Sequence, residues 1–259
     1  MPLEACDVAV IGGGPAGSTA AALLARRGYK VIALEKEHHP RFHIGESLLP
    51  MNLPLFERLG VLDKVHALGV FKPGADFEAD NESGYNTFAF CRAIGRSPPH
   101  AYQVWRQDFD QMLYAHARDC GADAREGHEV TKAEQRAARE TRLEVRTDEG
   151  REYAIQARYV IDASGRDAFL SAKKRLRRKN DKHQSAAIFG HYRGAARRPG
   201  PDEGNISIYR FEHGWMWMIP LRDGVMSVGA VCRPDYLKQR KGRTVEFLTD
   251  TLRLNPALA

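Results

Sequence analysis

The sequence predicts an α/β protein in which a doubly wound nucleotide-binding domain with a β-meander is joined to an antiparallel β-sheet. Three observations carry this: a strand, glycine turn and helix at the amino end; three strand-like runs leading into an apolar run that ends in Asp162-Ala163-Ser164-Gly165; and a change to β texture beyond residue 180. The apolar residues 8–10 precede Ile11-Gly12-Gly13-Gly14-Pro15-Ala16-Gly17, and a helical stretch follows over residues 18–27. Gly12 permits the tight turn, Gly14 lets the backbone approach a pyrophosphate, and Gly17 lets the helix pack closely on the strand. The helix amides and dipole then face the anion. A second strand, residues 30–34, ends in Glu35, eighteen residues beyond Gly17. An acidic side chain there hydrogen-bonds the hydroxyls of an unphosphorylated ribose, as in FAD or NAD.

An irregular stretch over residues 38–47 leads to residues 48–59, whose apolar positions recur at helical spacing around Pro50 and Pro54. Residues 60–100 read as loop-rich. Residues 101–104 make a short strand, and residues 108–120 an amphipathic helix with Phe109, Met112, Leu113 and Ala117 on one face, stopped by Gly121. Strand-like runs at 128–131, 143–147 and 153–156, with Asp148-Glu149-Gly150 as a hairpin turn, form the meander. The run 159–161 reads as a further, buried parallel strand. Residues 186–191, 205–211, 214–221 and 225–232 predict an antiparallel sheet of four strands, with turns at Glu212-His213 and Arg222-Asp223-Gly224. A helix over residues 244–254 follows. The expected division is a nucleotide-binding domain from 1–60 and 101–170, and a β-rich, substrate-side domain from 61–100 and 171–259.

With 259 residues and 43% hydrophobic content, the chain can bury a sizeable core. The apolar stretch 20–25 is too short to span a bilayer, and Glu4 and Asp7 sit where a signal peptide needs other residue types, so a cytoplasmic protein without a membrane partner is expected. Cys6, Cys91, Cys120 and Cys232 show neither CxxC nor metal-ligand spacing and read as buried thiols; no metal is expected. His38, His39 and His43 likewise lack a partner at a metal-ligating offset. The net charge of +6 raises the question of nucleic acid, but the dense basic run 173–178, extended by Lys179 and Lys182, has no interleaved aromatic residues to stack bases. It reads as a solvated loop, and no nucleic-acid partner is expected.

Three further stretches resemble one family. Arg41-Phe42-His43-Ile44-Gly45-Glu46-Ser47 is similar to the loop after the ribose acid in flavin-dependent halogenases and related reductases. Trp215-Met216-Trp217-Met218-Ile219-Pro220 matches the WxWxIP motif that separates halogenases from hydroxylases. Lys72, in Phe71-Lys72-Pro73-Gly74-Ala75-Asp76-Phe77, resembles the active-site lysine of halogenases acting on phenols and pyrroles. The chain thus resembles the flavin-dependent halogenases, within the FAD-dependent monooxygenase-like proteins of glutathione-reductase type. The resemblance implies a Rossmann-like FAD site at Gly12, Gly14, Ala16, Gly17, Glu35, Arg41, Glu46, Ser47, Arg106, Asp162 and Gly165. It implies that reduced FAD and oxygen convert halide, a co-substrate, to hypohalous acid, and that Lys72 delivers the halogen to a small aromatic substrate, free or carrier-bound. Trp215 and Trp217 would keep that substrate from the flavin. A separate flavin reductase is the implied electron donor, since a single dinucleotide fingerprint is found and it is assigned to FAD.

From the residues alone, bland readings stand beside these. Glu46 and Ser47 suit a helix cap, a Trp-x-Trp pair on one strand face suits a core, and Lys72 beside Pro73-Gly74 suits a surface loop. The family's second flavin motif, a strand ending in Gly-Asp before alanines, is not found, and the chain stops at Asn255-Pro256-Ala257-Leu258-Ala259. A truncated sequence is therefore expected. Two other functions compete: an FAD-dependent monooxygenase or reductase, separated by whether product requires halide, and a catalytically incomplete FAD-binding fragment or interaction module, separated by the flavin content of the purified chain.

Overall fold

The computed structural model describes residues 2–79, 84–178, 180 and 184–258. Lys179, Lys182 and Ala259 lie outside the described residues. In chain order, β1 (Leu3–Ile11), α1 (Pro15–Ala25) and β2 (Val31–Leu34) are followed by α2 (Leu53–Leu59) and α3 (Leu62–Leu68). Next come β3 (Val70–Lys72), β4 (Gly74–Glu78), β5 (Tyr85–Ala89), β6 (Ala101–Gln103), α4 (Arg106–Asp119) and β7 (Asp123–Arg125). The long strands β8 (His128–Ala137), β9 (Glu140–Thr147) and β10 (Glu152–Asp162) lead to α5 (Phe169–Lys173). The strands β11 (Ala186–Arg193), β12 (Ile206–Phe211), β13 (Gly214–Pro220) and β14 (Val225–Cys232) precede α6 (Pro234–Leu237) and α7 (Thr244–Leu252).

Two compact units result. The first comprises Met1–Ile44, Arg58–Val61 and Arg106–Arg178. Its six-stranded sheet runs β7-β2-β1-β10-β9-β8, parallel from β7 to β10 and antiparallel from β10 to β8. The β-branched and aliphatic residues of β1, β2, β9 and β10 supply its core, with Ala9, Ile32, Leu34, Leu143 and Ile155 fully buried. On α4, Phe109, Leu113 and Ala117 form the buried face, joined by Tyr114, while Met112 is half-buried. The third meander strand and the expected parallel strand prove to be one continuous strand, β10. Ala157-Arg158 between them has no turn chemistry, so the ladder with β1 continues from Leu3↔Ala154 to Ile11↔Asp162. Its far end is less buried than expected: Tyr159 is exposed.

The second unit comprises Gly45–Glu57, Leu62–Trp105 and Lys179–Ala259. Its main sheet runs β11-β14-β13-β12-β4-β5, built on a core of Tyr209, Met216, Ala230, Cys232 and Leu248. The expected four antiparallel strands are present and are extended by β4, which pairs parallel with β12 from Ile206↔Ala75 to Ile208↔Phe77, and by β5. Residues 60–100 are therefore not loop-rich. They hold α3 and three strands, each too short and too close to Pro or Gly to show a period. Residues 48–59 begin with a 3-10 turn at Pro50–Asn52, and the α-helix starts only at Leu53, because proline fixes the first turn without donating to it. Cys91 is exposed and Cys120 half-buried, so only Cys6 and Cys232 are buried thiols. The basic run is partly helical, since Lys173 closes α5; residues 174–178 are exposed.

Candidate functional site

The glycine turn divides its labour by position. Gly12 has φ of 106°, and a Cβ there would lie 2.4 Å from the Ala163 carbonyl oxygen. A Cβ on Gly17 would lie 1.9 Å from the Gly12 oxygen. Both glycines are demanded by chain packing. Gly14 differs: its φ of −73° suits any residue, and the nearest atom to a Cβ is Arg41 Nη2 at 3.8 Å. The space above Gly14 is open, and α1 begins there without a side-chain cap. The amides of Ala16 and Gly17 at this uncapped end suit an anion.

Glu35, at the end of β2, is buried. Its carboxylate accepts from Gly13 N at 2.7 Å, Glu37 N at 3.0 Å and Arg41 Nη2 at 3.0 Å. Burial pushes its pKa up, but the two amides and the guanidinium outweigh this and hold it below the usual carboxylate range. The Arg41 side chain is itself 9% exposed, and among the described residues its Nε and Nη1 have no hydrogen-bond partner. Longer ion pairs, to Glu37 at 3.6 Å and Asp110 at 3.8 Å, approach them. A buried guanidinium with unspent donors beside an open glycine is what a dinucleotide pyrophosphate requires, so the residues fit FAD.

Other expected contacts serve the frame around this cradle. Arg106 grips the fully buried Asp110 through two bonds, at 2.8 and 2.9 Å, and donates to the Ile44 carbonyl at 2.7 Å. Asp162 accepts from Ser164 N and Oγ and from Leu170 N, fixing the loop in which Gly165 has φ of 62°. Asp110 escaped the sequence reading because it falls on the buried side of an otherwise ordinary amphipathic helix.

A second group of residues lies within the second unit. Lys72 ends β3 opposite Ala101 and is 2% exposed, contrary to the surface-loop reading. Its Nζ donates to Ser47 Oγ at 2.8 Å and to the Leu48 carbonyl at 3.0 Å, and sits 5.2 Å from the Phe90 ring. Among the described residues no carboxylate pairs with it, and burial pushes its pKa down to about 8. Glu46, 1% exposed, does not cap a helix: its Oε1 lies 2.6 Å from His191 Nε2, and among the described residues its Oε2 has no hydrogen-bond partner. The His191 ring rests against Trp105 at 4.6 Å. Sequence reasoning missed His191, which is 145 residues from Glu46 and belongs to no local pattern. On β13 the Trp215 and Trp217 rings lie 5.9 Å apart, as period two requires. Trp217 is buried and donates to Ser227 Oγ at 3.2 Å, whereas Trp215 is 40% exposed.

Known proteins resemble the chain in sequence and in fold. A flavin-dependent halogenase of Armillaria mellea, armH3, is 36% identical over 255 residues, covering 94% of this chain and 49% of its own length. Among solved structures, the myxobacterial chondrochloren halogenase CndH superposes with a TM-score of 0.87 at 35% identity, over 98% of this chain and 59% of that one. A flavoprotein/dehydrogenase of Cytophaga hutchinsonii gives 0.91 at 32% identity, over 99% and 62%. The chain spans about half the length of the curated relatives it matches. The FAD binding domain family matches residues 5–253, a span that includes Gly14, Glu35 and strands of both six-stranded sheets. The chain belongs to the FAD binding domain family.

Proposed function

We propose that the protein to which this chain belongs is a flavin-dependent halogenase acting on a small, electron-rich aromatic substrate, free or carrier-bound. The observation that carries the reading is Lys72, a buried amine held by two neutral oxygens and depressed by burial to a pKa of about 8. When bound, FAD in its reduced form supplies, with oxygen, the oxidising equivalents that turn halide into hypohalous acid. Gly14 and the Ala16 and Gly17 amides hold its pyrophosphate, Glu35 its ribose, and Arg41 neutralises charge beside both. The neutral Lys72 Nζ takes the halogen from hypohalous acid: an N–H bond and an O–halogen bond break, an N–halogen bond and water form. On the substrate ring the N–halogen and a C–H bond then break and a C–halogen bond forms, the displaced proton returning to Lys72 Nζ. Ser47 and Leu48 aim Nζ, and Trp215 and Trp217 keep the substrate from the flavin. A separate flavin reductase supplies the electrons.

The test supplies reduced FAD, oxygen and halide and measures product and hydrogen peroxide together. Lys72→Ala is expected to abolish halogenated product while flavin oxidation continues. A loss of only about tenfold, about 1.4 kcal/mol of barrier, is too small for an obligatory carrier and rejects the lysine. The likeness to a flavoprotein/dehydrogenase favours a second reading, an FAD-dependent reductase or monooxygenase. Rapid anaerobic bleaching of the flavin by NADPH, or product made without halide, decides for it.

A further inference from the structure

We infer that the Glu46–His191 pair is a positioning device for Lys72, acting through Ser47. The inference rests on Lys72 as the reacting amine but is tested on the amine itself. The two oxygens that hold Nζ both come from residues 47–48. That stretch is laid against β6, the partner of β3, by Val104 N donating to the Glu46 carbonyl at 2.8 Å, by Leu48 N donating to the Tyr102 carbonyl at 3.0 Å, and by the antiparallel bridge Ser47↔Gln103. Backbone bonds set its register. They do not prevent so short and irregular a stretch from lifting at its exposed neighbours Leu49 and Met51.

The Glu46 side chain supplies the missing anchor. It points inward, 1% exposed, and reaches His191 on β11, a strand of the main sheet, at 2.6 Å. Trp105, two residues beyond β6, packs against the His191 ring with centroids 4.6 Å apart. Residue 46 is thereby tied to the sheet while its neighbour, Ser47, holds the lysine. A carboxylate buried this deeply with one oxygen unpartnered costs free energy unless its remaining bond is kept. Among the described residues the groups facing Lys72 are the Ser47 hydroxyl, the Leu48 carbonyl and the Phe90 ring, and its pKa is lowered by burial. Releasing Glu46 loosens the stretch and admits water, which restores the ammonium.

The experiment measures the pH profile of Lys72 acylation by acetic anhydride in the intact protein, read by peptide mass spectrometry, with exposed Lys30 as an internal control and circular dichroism as a check of folding. In the wild type the midpoint is expected near pH 8. In H191A and E46Q it is expected to rise by about one unit or more, so that the neutral fraction at pH 7 falls about tenfold. H191Q, which keeps a donor for Glu46, is expected to restore the wild-type midpoint. An unchanged midpoint in folded H191A and E46Q overturns the inference, as does a midpoint in H191Q that moves as far as in H191A. Unfolding of both H191A and E46Q assigns the pair to the core and overturns it too. No FAD, halide or substrate is present, so the result is independent of whether the protein halogenates.

Discussion

At Gly14 the fold and the cofactor make separable demands. A Cβ there meets only the end of the Arg41 side chain, and the backbone conformation is one any residue adopts, yet the methyls of a valine would occupy the space a pyrophosphate needs. Gly14→Val is therefore expected to fold with wild-type circular dichroism and to bind no FAD; flavin retained on gel filtration at the wild-type level rejects the cradle. Gly17→Ala, whose Cβ collides with backbone, is expected to fail in folding instead. Glu35→Ala removes the proposed ribose partner and is expected to weaken FAD by about 1–3 kcal/mol, the scale of a buried hydrogen bond, measured by titration. Lys72 makes a prediction of different sign. Its pKa falls from 10.5 in the unfolded chain to about 8 in the folded one, so the unfolded state binds more protons between those values and stability rises with pH across the window. The cost, about 3 kcal/mol, is fully present below pH 8. Lys72→Met keeps the volume without the charge. It is expected to stabilise the protein in urea unfolding at pH 7, less whatever the orphaned Ser47 and Leu48 oxygens cost, with the gain vanishing above pH 10.5; a pH-independent difference contradicts the buried ammonium.

Among the elements, β13 and β14 explain why Trp217 sits where it does. Gly229 lies in register between Trp217 and Phe189 on its two neighbouring strands, and those rings approach to 6.1 Å across the glycine. A Cβ on Gly229 would lie 2.4 Å from Trp217 Cζ2 and 2.6 Å from Phe189 Cβ. Gly229→Ala is expected to push the indole off Ser227 and to cost about 1–3 kcal/mol, as overpacking does. A shift of tryptophan emission to longer wavelength at neutral pH is the measurement; unchanged emission and stability contradict the contact. The indole spacing was legible from the Trp-x-Trp alternation, but the unequal burial was not, because it depends on which cross-strand neighbour is a glycine. The glycine turn, β2 and Glu35 were legible for the opposite reason: every requirement there is local. β3 and β4 hid because Pro73 separates them, Gly74 opens the second, and strands of a few residues are too short for alternation to register. Lys72 therefore read as a surface lysine. Its partners, and the Glu46–His191 pair, are long-range contacts that only the folded sheet brings together.

For the molecule as a whole, the consequential fact is how the chain is threaded. It passes from one compact unit to the other after Ile44, Glu57, Val61, Trp105 and Arg178, so neither unit is complete until segments far apart in sequence have been placed. Each sheet has its own core, but interleaved segments cannot be released from one unit without disturbing the ends of the other. Unfolding is therefore expected to be one cooperative event. The three tryptophans, Trp105, Trp215 and Trp217, all lie in the second unit, whereas the glycine cradle lies in the first. Tryptophan emission thus reports on a unit that does not contain the cradle. Ligand held only by the folded state adds about 2.7 kcal/mol at a hundredfold excess over Kd. FAD at that excess is expected to raise the midpoint of the tryptophan-monitored thermal transition as far as that of flavin release, and to leave Gly14→Val unmoved. A tryptophan transition indifferent to FAD, with flavin release shifted, would show that the two units unfold independently despite their threading.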